Sequence, residues 1–339
     1  MDWLLLVIAL VIILGGAELF TNGVEWVGEG FGLSEGAVGS VLAAIGTALP
    51  ETILPFVAIV FGHGSSGDAI GIGAILGAPV MLTTLAMFAL GLTVVVYSRK
   101  GKRMPHLAHD SGVMRQDLLY FLAMFGLASL AGLIHVRALH YCLVVVLIVG
   151  YGFYVKRHFA APGEAELEAE ATGEVKPLRL WHLLKRTGKP SIAASLSQTF
   201  LGVGLIVGAS DIFVHSISDI SVRLGVSQLA VTLLIAPVAT ELPEALNASF
   251  FWARRGKDVL ALGNITGAMV FQATFPVALG LAFTPWKLDL TAGVAAAVAL
   301  LAAGILYLTV RLRGRLTGAL LLFQGLLWVG YVIFVLARL

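Results

Sequence analysis

The chain has 339 residues, 58% of them hydrophobic and only 12% charged, with a mean hydropathy of +0.94. A soluble chain carries about 25% charged residues, so a water-soluble enzyme or nucleic-acid-binding domain is excluded and lipid is the solvent this composition suits. The formal net charge of +2 identifies no partner, and a single cysteine, Cys142, permits no internal disulfide.

Apolar segments near the ~20 residues that a helix needs to cross a bilayer fall at 3–29, 34–61, 67–97, 116–134, 138–155, 191–221, 226–253, 258–284, 288–310 and 316–337. They predict an all-α membrane protein with ten transmembrane helices. The first run, Trp3–Leu14, has no basic stretch before it and no small-residue cleavage pattern, so it reads as a span and not as a removed leader. Segments one, three and six are long enough to require tilt or protrusion into water.

The basic residues orient these segments. Connection three–four holds Arg99, Lys100, Lys102, Arg103 and Arg115, and connection five–six holds Lys156, Arg157, Lys176, Arg179, Lys185, Arg186 and Lys189. Arg254, Arg255 and Lys257 lie in connection seven–eight, and Arg311, Arg313 and Arg315 in connection nine–ten. Only Arg137, Arg223, Lys287 and Arg338 fall on the other side. This split puts the rich loops in the cytoplasm of a cell membrane and both termini outside. The one–two connection, cytoplasmic on this count, carries no Lys or Arg.

Residues 156–190 contain Glu164, Glu166, Glu168, Glu170 and Glu174, followed by a basic stretch around Lys185 and Arg186. Such charge runs are usually solvated, so this segment reads as a linker between two halves, 1–155 and 191–339. It holds no Asp-rich loop with a central glycine, which excludes an EF-hand.

The two halves repeat each other. GLSEGAVGSVLAAIGTALPE runs from Gly32 to Glu51, and GVSQLAVTLLIAPVATELPE runs over the same spacing from Gly225 to Glu244. Ser34 matches Ser227, Thr47 matches Thr240, Pro50 matches Pro243 and Glu51 matches Glu244. GAILGA at Gly73–Ala78 matches GNITGA at Gly263–Ala268. With five spans in each half, the second enters the membrane from the opposite side. Such inverted five-helix repeats are the signature of secondary transporters, whose site lies where the repeats meet.

The paired motif carries the chemistry. Each Glu follows a proline near mid-span. Proline has no N–H and frees the carbonyl four residues earlier, and such open backbone is tolerated in a membrane only where protein or a watery cavity covers it. Freed carbonyls, the hydroxyls of Thr47 and Thr240 and the carboxylates of Glu51 and Glu244 are hard oxygen ligands. They suit calcium, magnesium or sodium rather than zinc or copper. Two facing glutamates balance one divalent ion or, with neutral oxygens added, several monovalent ones. Glu241, whose first-half counterpart is Ala48, adds a third carboxylate on the face of Glu244. It is a further ligand or, if crowded, a proton carrier. Asn247, Asn264 and Gln272 complete a coordination shell or bond across helices. Glu18 and Asp211 lie in the long first and sixth spans, near an interface.

Other classes fit less well. A membrane-embedded enzyme using Glu241 and Glu244 as an acid–base pair would lack a nearby nucleophile, and a channel needs no twofold repeat. A carrier of anions or organic molecules would want an embedded cation or more aromatics.

GTALPE at Gly46–Glu51 and ATELPE at Ala239–Glu244 resemble the two signature repeats of the cation/calcium exchanger superfamily, usually G-T-S-L-P-E. GAELF at Gly16–Phe20 and GNITGA at Gly263–Ala268 resemble the same family. The resemblance implies an antiporter of calcium against sodium or, in some branches, protons or other cations. It implies Glu51 and Glu244 as central calcium ligands, with Thr47 and Thr240 adding oxygens. No cofactor is expected beyond the transported ions, and no partners beyond inorganic cations and the bilayer: no nucleic acid and no obligate protein. The departures are Ala48 and Glu241 for the Ser before L-P-E, Ala78 and Ala268 for the Ser of G-N-x-x-G-S, Ala74 for its first Asn, and Leu82 and Gln272 at the deeper polar position. They remove neutral oxygens that hold sodium and leave protons as the alternative coupling ion. Alternating access would set segments two, three, seven and eight as a fixed core. Segments one and six would slide past it, eased by Gly15, Gly16 and Gly208.

Overall fold

The computed structural model describes the chain except residues 32–48, 63, 108–110, 135, 160–176, 184–188, 248–252 and 339. The described residues form helices and one two-stranded ladder. In chain order the helices are α1 (Asp2–Gly30), α2 (Leu49–Phe61), α3 (Gly64–Arg99), α4 (Ser111–Ala131), α5 (Arg137–Phe159) and the short α6 (Arg179–Leu183). Then follow α7 (Ile192–Leu224), α8 (Gln228–Asn247), α9 (Asp258–Gln272), α10 (Phe275–Phe283), α11 (Leu290–Arg313) and α12 (Gly318–Leu336).

Eight spans are long and apolar enough to cross a membrane, α9 and α10 counting together as one. Two shorter apolar helices, Pro50–Phe61 and Gln228–Pro243, occupy the segments that carry the repeated motif. Each of the ten apolar segments therefore contains a helix, though part of the second and seventh lies outside the described residues.

Two spans differ from plain helices, and at matching places in the repeat. The third carries a π-helical turn at Leu82–Ala86, three residues after Pro79. The hydroxyl of Thr83 donates to the Pro79 carbonyl at 2.7 Å, and that of Thr84 donates to Val80 O. The eighth segment, expected as one span, is interrupted at Ala273–Thr274. Pro276 lacks the N–H that would bond Gln272 O, so α9 cannot run straight into α10. Thr274 Oγ1 instead donates to Val270 O at 2.9 Å and Phe271 O at 3.0 Å. Leu82 and Gln272, equivalent by the repeat, both sit at these irregularities.

Lipid tails are as apolar as leucine, so spans are held together by close packing rather than by escape from water. Small residues make the approach possible. At Gly77 of α3, a Cβ would stand 2.5 Å from Pro237 Cγ and 2.7 Å from Leu233 O of α8. Gly73 meets the same helix at Leu229 and Thr232, and Gly71 packs on Ile59 of α2. Gly16 and Gly202 meet across α1 and α7. Gly15 and Gly208 have no described atom within 4 Å of a Cβ position, so of the three glycines expected to ease sliding only Gly16 lies in a close helix crossing. On α11, Ala292, Ala295, Ala299 and Ala302 form a fully buried stripe. The core divides into a large cluster centred on α3, α4, α9 and α11 and a smaller one on α1, α2 and α7.

The linker is not wholly detached. The backbone N–H of Arg179 donates to Asn22 Oδ1 (2.9 Å) and that of Leu180 to Gln198 Oε1 (2.8 Å). Gln198 Nε2 donates to Asn22 Oδ1 at 3.1 Å, so α6 is tied across the α1–α7 seam. Glu18 pairs with Arg179 at 2.5 Å and Asp211 lies 3.6 Å from His215, all four side chains largely exposed.

Replacing Gly77 by Val is expected to destabilise the protein by about 1–3 kcal/mol through overpacking. Gly304→Ala, at a position with open space, should be neutral or slightly stabilising. Thermal melting in detergent compares them.

Candidate cation site

Both motif helices are shaped by proline. Pro50 stands in the first described turn of α2. Glu51 follows directly and is 8% exposed. Pro55 removes the donor that Glu51 O would ordinarily meet. In α8, Pro237 and Pro243 lie inside a continuous helix, so Leu233 O and Ala239 O lose theirs. Thr240 Oγ1 donates back to Ala236 O at 3.1 Å.

A small, partly open cavity lies between α2, α3 and α8, lined by Glu51, Leu54, Pro55, Ala74, Ala78, Ala236, Pro237 and Thr240. Glu51 from the first motif and Thr240 from the second thus share its wall. The contribution of α3 is two methyl groups, at Ala74 and Ala78. These are the positions where an Asn and a Ser were expected by resemblance. Among the described residues the polar lining is one carboxylate and one hydroxyl.

Glu241 is absent from this lining. One residue beyond Thr240, it turns about 100° around the helix, is 3% exposed, and accepts a hydrogen bond from Gln272 Nε2. Gln272 Oε1 is buried with no hydrogen-bond partner among the described residues. The extra acid of the second half and the amide at its deeper polar position therefore form one polar pair between α8 and α9. Their first-half counterparts, Ala48 and Leu82, are both apolar.

The remaining expected residues stand apart. Asn264 is exposed on α9 and is not a lining residue. Thr47 lies outside the described residues. Glu244 and Asn247 belong to α8 by backbone, and their side chains lie outside the described ones. No group of three or more His, Cys, Asp or Glu gathers among the described residues.

Sequence reasoning missed Asp117. It is 1% exposed in α4 and accepts from Tyr154 Oη at 3.0 Å and Thr266 Oγ1 at 2.6 Å, joining α4, α5 and α9. The signal was available, because an acid inside an apolar segment is functional or structural by default.

Comparison with known proteins follows the same lines. The family described as sodium/calcium exchanger protein matches residues 1–158 and 195–338. A relative from Alkalimonas amylolytica, described as putative antiporter CaxA, is 26% identical over 96% of this chain and 95% of its own length. Among solved structures, the H⁺/Ca²⁺ exchanger CAX superposes with a TM-score of 0.71 at 14% identity, covering 99% of this chain and 87% of that one. The sodium-calcium exchanger NCX_Mj gives 0.53 at 20% identity, with both chains covered completely. Both share this fold.

The Glu241–Gln272 contact is expected to be energetically coupled. A double-mutant cycle of Glu241→Ala and Gln272→Ala should return about 1–3 kcal/mol in thermal or chemical unfolding. A value near zero would mean the two side chains do not interact.

Proposed function

Because the chain belongs to the sodium/calcium exchanger protein family, we propose that it is a secondary antiporter that moves calcium across a cell membrane in exchange for sodium. The observation that supports this reading is the cavity with Glu51 of the first repeat and Thr240 of the second on its wall. A carboxylate buried at membrane depth marks a functional position by default. Two further features support a hard divalent ion as cargo. The described donors are all oxygens, and Pro55, Pro237 and Pro243 disturb the helical bonding of nearby carbonyls.

In this reading ten spans form two inverted repeats, residues 1–155 and 191–339, joined by a cytoplasmic linker at 156–190, with both termini outside. Glu51 and Glu244 are the central calcium ligands, and Thr47 and Thr240 add neutral oxygens. Glu241 balances charge beside them. Gln272 holds Glu241, and Asn247 lies one turn beyond Glu244. Asn264, exposed on α9, joins only in a state that turns it inward. The protein binds no cofactor, carries out no chemical conversion, and needs no partner beyond the ions and the bilayer. Alternating access moves α1 and α7 past a core of α2, α3, α8 and α9.

A second reading, exchange of calcium against protons, has its own support. Ala74 and Ala78 present no oxygen to a sodium ion, and the buried Glu241 accepts a hydrogen bond from the neutral amide of Gln272.

Calcium-45 uptake into proteoliposomes tests both. Uptake driven by internal sodium is expected. Glu51→Gln or Glu244→Gln should lower it roughly 30- to 150-fold, the equivalent of about 2–3 kcal/mol of lost charge-assisted ligation. Uptake driven only by a proton gradient would select the second reading, and no calcium uptake under either gradient would refute both.

A further inference from the structure

Three connections far apart in sequence meet at one corner of the molecule. In 99–107 and 311–317 lie two short strands, β1 (His106–Leu107) and β2 (Leu316–Thr317), which pair antiparallel with His106 opposite Thr317. From the same loop, Arg103 reaches the third connection. Its Nη2 lies 2.8 Å from Asp258 Oδ2 and its Nη1 donates to Ala253 O at 2.5 Å, with both charged side chains 4–5% exposed. A buried pair of this kind ties the loops in a definite place, because removing either partner would leave a buried charge.

Around these ties the surface is strongly positive. Each of the three stretches 99–107, 253–258 and 311–317 contributes three exposed cations. The one acid in them, Asp258, is committed to Arg103. Orientation in the membrane requires basic residues on this side, but it does not require them gathered. Nine like charges brought together repel one another, and a neighbouring anion relieves that repulsion.

The corner also sits at a definite depth. Helix α12 has 19 residues, about 28 Å at 1.5 Å per residue, close to the ~30 Å hydrocarbon thickness. The strand directly before it, with β1 beside it, therefore lies at the headgroup level. Met104 and Leu312, in the same stretches as these cations, are 68% and 77% exposed. A hydrated acidic segment or a free anion has no use for such apolar side chains.

We infer that this corner seats the phosphate-bearing headgroups of anionic lipids in the leaflet assigned above to the cytoplasm. The cations meet the phosphate, and Met104 and Leu312 meet the upper acyl chain. Nothing in this inference depends on which ion the protein exchanges.

The test uses the full chain, purified in detergent and offered an equimolar mixture of phosphatidylglycerol and phosphatidylcholine, with retained lipid counted by native mass spectrometry. The wild type should prefer phosphatidylglycerol by tenfold or more. R311Q/R313Q/R315Q should lower that preference by about fivefold or more. R311K/R313K/R315K, which keeps charge and orientation, should preserve it. Because the Gln variant can insert wrongly, the wild type is also titrated with salt, and the preference should fall as charges are screened. Equal retention of both lipids, or a preference unchanged in the Gln variant and by salt, would overturn the inference. So would displacement of the lipid by inorganic phosphate at comparable concentration, which would mark a plain anion site. A preference emerging only when Glu164, Glu166, Glu168, Glu170 and Glu174 are replaced by Gln would also overturn it, by making the chain's own acidic run the occupant.

Discussion

A carbonyl buried in lipid has no water to bond to, so every proline inside a spanning helix creates an acceptor that the protein itself must meet. This chain places Pro55, Pro79, Pro237, Pro243 and Pro276 inside or at the breaks of its spans. Near Pro79 and Pro276, hydroxyls of Thr83, Thr84 and Thr274 donate to other carbonyls one turn back. Around Pro55 and Pro237 the disturbed backbone instead borders the cavity that Glu51 and Thr240 share. Pro55 and Pro237, which weaken their helices, thus also line the cavity beside that carboxylate and hydroxyl.

Packing in the same region leaves few choices of side chain. Where α3 lies against α8, a Cβ on Gly73 or Gly77 would collide with backbone. Ala74 and Ala78, between and beside these glycines, face the cavity with methyl groups. Close helix approach and a sparse set of oxygens are therefore features of a single stretch of α3.

The two halves solve one problem differently. Leu82 and Gln272 mark equivalent breaks, one a π-helical turn and one a gap between helices. The first half pairs that break with Ala48 and the second with Glu241. In the second half the amide donates to the carboxylate inside the protein. Introducing a buried carboxylate without a nearby donor would cost several kcal/mol. Placing a polar residue at both positions of the same half avoids that.

Much of the molecule is legible in its sequence alone. Composition identifies lipid as the solvent, since 12% charged residues cannot cover a soluble domain. Each of the ten apolar segments contains a helix among the described residues, and of the residues that the doubled motif singles out Glu51 and Thr240 line one cavity. These features are local: hydropathy and proline act through residues a turn or less away. Tertiary structure alone decides which polar groups meet. That Glu241 turns from the cavity toward Gln272, that Asn264 stays outside, that Asp117 is held by Tyr154 and Thr266, and that Arg103 ties down Asp258 are contacts across 31 to 155 residues of sequence. They depend on the rotation of each helix about its axis. Packing against several neighbours at once sets that rotation, and no single segment encodes it.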